Sequence, residues 1–185
     1  GPGPKRMLAL DGGGVRGILT LQYLKRLEAL LRERSGNDPA FRLSHYFDLI
    51  GGTSTGSIIA AGLALGWPGD KLETLYHQLA EQVFRKSIWR HGILQAKFPR
   101  TPLMNALKAQ FGDRTLGSED LQTGLMIMTK RLDTGSPWPL MNNPRGRYFN
   151  PVEKKGKSIP NKDFFLREVV RASTAKETAH ECHHQ

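Results

Sequence analysis

A chain of 185 residues, 38% apolar and 24% charged, is the size and balance of one globular domain with a single core. Its 27 Lys and Arg against 17 Asp and Glu leave a formal charge of +10, which favours anionic surfaces and says nothing of fold. The single cysteine, Cys182, excludes an internal disulfide framework, no apolar run approaches the roughly 20 residues of a membrane span, and no signal-peptide pattern is present.

One domain over residues 1–185 is therefore expected, cytoplasmic or peripheral to a membrane. Gly1-Pro2-Gly3-Pro4 reads as a processing remnant. Residues 6–10 form a short apolar run, predicted as a buried strand, that enters Asp11-Gly12-Gly13-Gly14-Val15-Arg16-Gly17. Ile18, Leu21, Leu24, Leu27, Leu30 and Leu31 then recur at helical spacing, with Lys25, Arg26, Glu28, Arg32 and Glu33 assigned to the polar side. A turn-forming cluster at residues 35–39 ends that helix.

A second strand leads into Gly52-Thr53-Ser54-Thr55-Gly56, followed by a small and apolar helix that stops at Gly66 ahead of Pro68. Asp70 and Glu73 have capping-box spacing for a helix carrying Leu72, Leu75, Leu79 and Val83. Thr101-Pro102 starts another, with Leu103, Leu107 and Phe111 at four-residue spacing and Gly112 closing it. Strands are predicted at residues 125–129 and 138–141, a surface connection at 142–162 and a last helix at 164–172. Strands alternating with helices give a three-layer α/β/α fold with a mainly parallel sheet.

The pentad Gly52, Ser54, Gly56 sits between strand and helix. A serine on such a turn is pushed into the open, because its glycine neighbours let adjacent backbone pass close by. Its hydroxyl then stands at a helix N-terminus, where unpaired N–H groups favour developing negative charge. Ser54 is thus the candidate nucleophile and Gly52, Thr53, Thr55 and Gly56 its elbow; the plain alternative is that small residues merely permit a tight turn.

Gly12, Gly14 and Gly17 also spell the dinucleotide fingerprint G-x-G-x-x-G. The acidic residue expected about 20 positions on is replaced by the turn Asn37-Asp38-Pro39, so nucleotide binding is the third choice. In the other meaning the loop is an oxyanion hole: the N–H groups of Gly13 and Gly14 face the alkoxide formed by Ser54, with Arg16 adding positive charge.

The first glycine loop followed by the Ser54 pentad, with Arg171-Ala172-Ser173-Thr174-Ala175 near the end, resembles the bacterial patatin-like phospholipase family over residues 5–175. The resemblance implies a serine acyl hydrolase that cleaves fatty-acyl esters of phospholipids and other lipids through a Ser-Asp dyad, without metal or cofactor. Carried over, Ser54 is the catalytic nucleophile and Gly12, Gly13, Gly14, Arg16 and Gly17 form the oxyanion loop.

The family's aspartate, in a D-G-G or D-G-A motif after the last block, has no counterpart; Asp11-Gly12 is the only Asp-Gly pair. Three readings stay open: a truncated or frameshifted copy, a stand-in carboxylate such as Asp133 or Asp163, or a Ser-His arrangement completed by the terminal histidines. The alternative function is a catalytically silent lipid- or membrane-binding domain. His180, Cys182, His183 and His184 match no standard zinc spacing, so no metal site is assigned. His45, His77 and His91 stand singly and read as surface or packing residues. Residues 86–100 interleave Ile88, Trp89, Ile93, Leu94 and Phe98 with Lys86, Arg90, Lys97 and Arg100, a pattern suited to peripheral contact with an anionic membrane or to an ordinary covering loop. Arg145, Arg147, Lys154, Lys155 and Lys157 read as a solvated basic loop with no nucleic-acid module, so no specific nucleic acid partner is expected.

Overall fold

A computed structural model describes residues 3–13, 16–81, 100–131, 133–150 and 159–174. Strand β1 (Met7–Leu10) is followed by helix α1 (Arg16–Arg34), strand β2 (Leu49–Thr53) and helices α2 (Thr55–Ala64) and α3 (Gly69–Leu79). Helix α4 (Arg100–Phe111), strands β3 (Gly124–Lys130) and β4 (Pro137–Met141) and helix α5 (Leu166–Thr174) complete the order. The four strands form one sheet in the order β1-β2-β3-β4. The first three run parallel and β4 returns antiparallel to β3. This mixed sheet flanked by five helices is the α/β architecture expected from the alternating pattern.

Alternation along the strands shows which face the helices cover. Leu10, Ile50, Leu125, Ile127 and Leu140 are buried. Their neighbours on the opposite face, Met7 and Ala9, are exposed, and Leu49, Met126 and Met128 are half-buried. Residues 6–10 are therefore not the fully buried strand expected of an apolar run: only Leu10 is buried. β4 lies at a sheet edge, and its register explains how the edge tolerates two prolines. The bonds Asn142 N–H to Leu125 and Arg131 N–H to Ser136 bracket the ladder. Pro137 and Pro139 then occupy the alternate positions whose missing N–H faces outward, where nothing in the ladder is lost.

Helix α2 is the core element. Every residue of its span is buried, and Ile58, Ile59 and Leu63 each contribute about 1.5–3 kcal/mol of apolar burial. It ends as expected at Gly66, whose φ of 72° only glycine adopts freely. Gly112, with φ of 57°, closes α4 in the same way, and Leu103, Leu107 and Phe111 of that helix are buried as their spacing predicts.

Two polar assignments change. Glu28 is not on the solvent side of α1 but on its buried stripe, with Gly17, Leu21, Leu24 and Leu31. That stripe repeats every three to four residues through position 28, and Arg32 one turn on holds the carboxylate at 3.1 Å. Asp70 and Glu73 do not form a capping box. α3 starts behind Pro68 without a side-chain cap, and both carboxylates instead reach Lys25 of α1 at 2.7 and 2.6 Å. A single ammonium between the two carboxylates ties α1 to α3. Lys25 holds the Glu73 carboxyl below its ordinary range, helped by Gln22.

Candidate active site

Ser54 leaves the carboxyl end of β2 at φ 50° and ψ −128°, directly before the first residue of α2. A non-glycine residue in such a conformation costs about 1–3 kcal/mol and persists where its surroundings hold it. A serine in the N-cap position normally spends its hydroxyl on the helix; here the cap makes no side-chain bond, and Ser57 closes the first turn instead by donating to the Ser54 carbonyl at 2.5 Å. The Ser54 hydroxyl makes no hydrogen bond to another described residue and remains available for chemistry.

Glycines make this turn possible by proximity. A Cβ on Gly52 would stand 2.6 Å from the Gly56 carbonyl oxygen and 2.7 Å from the Ser57 Cα. One on Gly56 would overlap the Leu10 carbonyl oxygen and lie 2.8 Å from that of Asp11. β1 and its loop therefore rest on the amino end of α2, and the two glycine motifs are packed surfaces of one another.

The first loop lies over the serine. A Cβ on Gly12 would come 2.6 Å from the Ser54 Cβ and 3.1 Å from its Oγ. The loop is held from the elbow: Gly12 N–H donates to Thr53 Oγ1 at 3.3 Å and Gly13 N–H to Thr55 Oγ1 at 3.1 Å. The threonines flanking the nucleophile thus set the loop's height. Gly13 N–H points to Thr55 rather than to open space, while Gly14 lies outside the described residues. Arg16 folds back over the loop, its Nε 3.4 Å from where a Gly13 Cβ would stand, which brings a guanidinium beside the candidate oxyanion site. Gly17 packs its Cα on the Tyr76 hydroxyl. Tyr76 is fully buried and hydrogen-bonded to Thr55, and burial pushes its phenol above the ordinary value while that bond pulls it down.

One residue was not singled out by sequence reasoning. Ser173 of α5 accepts the Ser54 N–H at 2.8 Å and donates to the Met128 carbonyl at 2.5 Å. The signal was present as the Arg171-Ala172-Ser173-Thr174-Ala175 block, but no local pattern says which of its side chains reaches the elbow.

Neither stand-in carboxylate is hydrogen-bonded to Ser54. Asp133 is exposed and pairs with Arg131 at 2.9 and 2.5 Å, and that hydrogen-bonded guanidinium holds its carboxyl below the ordinary range. Asp163 belongs to a 3-10 turn, Asn161–Asp163, before α5. It lies at the opposite end of that helix from Ser173, and nine residues of helix are about 13 Å long. The terminal histidines and residues 86–99 lie outside the described residues. Among the described residues no group of three metal-binding side chains is found, and no helix is long and apolar enough to cross a membrane.

Comparison with known proteins gives the same outline. The family model for patatin-like phospholipase matches residues 8–177. A cUMP-AMP-activated phospholipase of Escherichia coli is 33% identical over 168 residues, 91% of this chain and 46% of that protein. A cGAMP-activated phospholipase of Vibrio cholerae is 33% identical over 142 residues, covering 71% and 39% respectively. Patatin-17 of Solanum cardiophyllum is 34% identical over 138 residues, covering 71% and 34%. The chain thus spans less than half the length of these relatives. Among solved structures, the type III effector protein ExoU aligns over 94% of this chain and 39% of its own, at 14% identity and a TM-score of 0.47.

Proposed function

Because the chain belongs to the patatin-like phospholipase family, we propose that it is a lipid acyl hydrolase of phospholipase A or esterase type, with Ser54 as nucleophile. The Ser54 oxygen attacks the carbonyl carbon of a fatty-acyl ester, and its proton passes to a base that returns it to the departing alcohol. Water then cleaves the acyl-serine ester, releasing the fatty acid and restoring Ser54. The observation that carries this reading is the uncapped Ser54 hydroxyl at a helix N-terminus, held at positive φ beneath the Gly12 loop.

In this reading the residue 12–17 loop and Arg16 stabilise the oxyanion. Gly13 N–H must exchange Thr55 Oγ1 for the alkoxide, a step the neighbouring Tyr76 hydroxyl supports by keeping a hydrogen bond on Thr55. The family pattern assigns the base to an aspartate. Among the described residues no carboxylate or imidazole is hydrogen-bonded to Ser54, and in this reading the base is a carboxylate that reaches the serine when substrate is bound. That same observation favours a second reading, a catalytically silent domain that binds lipid without cleaving it.

The described surface also offers a membrane-facing candidate. Leu19, Tyr23 and Leu30 are exposed large apolar side chains spaced along the outer stripe of α1, with Arg16 and Arg26 among them. An apolar stripe with cations beside it suits the headgroup level of an anionic bilayer, and α1 begins at the glycine loop. The functional test is hydrolysis of a short-chain nitrophenyl ester and of phospholipid vesicles. Turnover that disappears in Ser54→Ala supports the hydrolase; vesicle binding with no turnover in the unaltered chain supports the silent domain.

A further inference from the structure

The β2–β3 ladder ends in an unusual way beside Ser54. Thr53 and Met128 are the last paired residues of these parallel strands. The N–H one position beyond, that of Ser54, does not pair with a β3 carbonyl. A side-chain hydroxyl from α5, 119 residues away in sequence, stands between: Ser54 N–H to Ser173 Oγ at 2.8 Å, and Ser173 O–H to the Met128 carbonyl at 2.5 Å. A hydroxyl has one proton to donate, and here that proton is spent on Met128 while the oxygen accepts Ser54. The bridge therefore has a defined direction and fixes both strand ends relative to α5.

The helix that delivers it is itself immobilised. Leu166, Val169, Val170 and Thr174 of α5 are buried, Leu166 N–H donates to the Arg114 carbonyl, and the helix packs on α2, α4 and β3. Ser173 thus transmits the position of a packed helix to one peptide group. That group, between Thr53 and Ser54, defines the φ of Ser54, which at 50° is one of two positive values among the described non-glycine residues. The other, at Asn37, belongs to an exposed turn.

We propose that Ser173 is the positioning residue of the nucleophile: its hydroxyl bridge to Met128 holds the Ser54 peptide plane, and with it the direction of the Ser54 hydroxyl. The bridge also occupies the Ser54 N–H, leaving oxyanion stabilisation to the glycine loop and to donors further along α2. The proposal rests on the reading of Ser54 as nucleophile, and it is separable from that reading because the bridge is observable without catalysis.

The experiment compares the unaltered chain with Ser173→Ala and Ser173→Thr by two readouts. Hydrogen exchange at the Ser54 amide reports the bridge itself. The rate of covalent labelling by a fluorophosphonate, resolved into probe affinity and maximal rate, reports the nucleophile. Ser173→Ala should speed Ser54 exchange by about tenfold or more. It should lower the maximal labelling rate about 100-fold, the scale of a 1 Å misplacement, with probe affinity unchanged. Ser173→Thr, which keeps the hydroxyl, should restore both and also covers the case in which the alanine variant fails to fold. Equal labelling rates in the unaltered chain and Ser173→Ala would overturn the positioning role. Unchanged Ser54 exchange would overturn the bridge. An unaltered chain that is not labelled at all would remove the nucleophile reading, and the positioning role with it, while the exchange result still decides whether the bridge holds the elbow.

Discussion

A Cβ placed on Gly12 would lie 2.6 Å from the Cβ of Ser54, so the first glycine loop and the candidate nucleophile are in direct contact across 42 positions of sequence. Gly12→Ala must push the loop or the serine aside. Displacement of about 1 Å at a reacting centre costs on the order of 100-fold in rate, whereas the fold, whose core lies below the loop, should survive. The expected outcome is ester hydrolysis lowered about 100-fold with Tm nearly unchanged. A variant with normal turnover would show that the loop does not need to sit on the serine.

Gly56 behaves differently because its obstacle is backbone. The Leu10 and Asp11 carbonyls cannot rotate away as a side chain does, so Gly56→Ala must separate β1 from α2. Overpacking of this kind costs about 1–3 kcal/mol, roughly 2–4 °C of Tm for each kcal/mol at this chain length. Thermal denaturation followed by circular dichroism should show the loss, and an unchanged Tm would contradict the packing described.

How much of this was legible beforehand follows from the range of each contact. The elbow, the loop and the helix stops at Gly66 and Gly112 were readable because glycine, proline and apolar spacing act within a few residues. The contact of Ser173 with Ser54 was not, since a hydroxyl arriving from another helix leaves no mark on the sequence around its target. The charge of Glu28 suggests the solvent face, whereas its spacing from Leu24 and Leu31 puts it on the buried stripe. Asp70 and Glu73 matched a capping spacing, yet the competing cation, Lys25, was 45 positions away from Asp70. The D-G-G or D-G-A motif that would mark the base has no counterpart in the sequence, and among the described residues no carboxylate or imidazole is hydrogen-bonded to Ser54.

Asp48 gives a pH signature. Its carboxylate accepts the Arg6 N–H at 2.9 Å and pairs with Lys5 at 3.4 Å, joining the start of β1 to that of β2. The Arg6 N–H first, then Lys5, holds the carboxyl below its ordinary value. A depressed folded pKa means that the stabilisation is complete above the ordinary value, about 3.9, and is lost as pH falls through the folded one. Between pH 5 and 8 Asp48→Asn should be less stable than the unaltered chain by a constant amount, and the two Tm curves should converge below about pH 4. Curves that stay parallel down to pH 3 would rule out this linkage.

The α1 stripe is separable from net charge. Leu19→Ser combined with Tyr23→Ser leaves the +10 charge intact, so any loss of binding to vesicles containing phosphatidylglycerol reports insertion of apolar side chains rather than attraction alone. Flotation should show binding reduced severalfold, with hydrolysis of a soluble ester unaffected. Binding equal to that of the unaltered chain would move the membrane contact to another face.

The central claim is that Ser54 is an activated nucleophile, and mass spectrometry of the protein treated with a fluorophosphonate tests it most directly. The account predicts a single phosphonyl adduct, mapped to the peptide carrying Ser54 and absent from Ser54→Ala. An adduct that persists in the alanine variant, or no adduct in the unaltered chain, would contradict it.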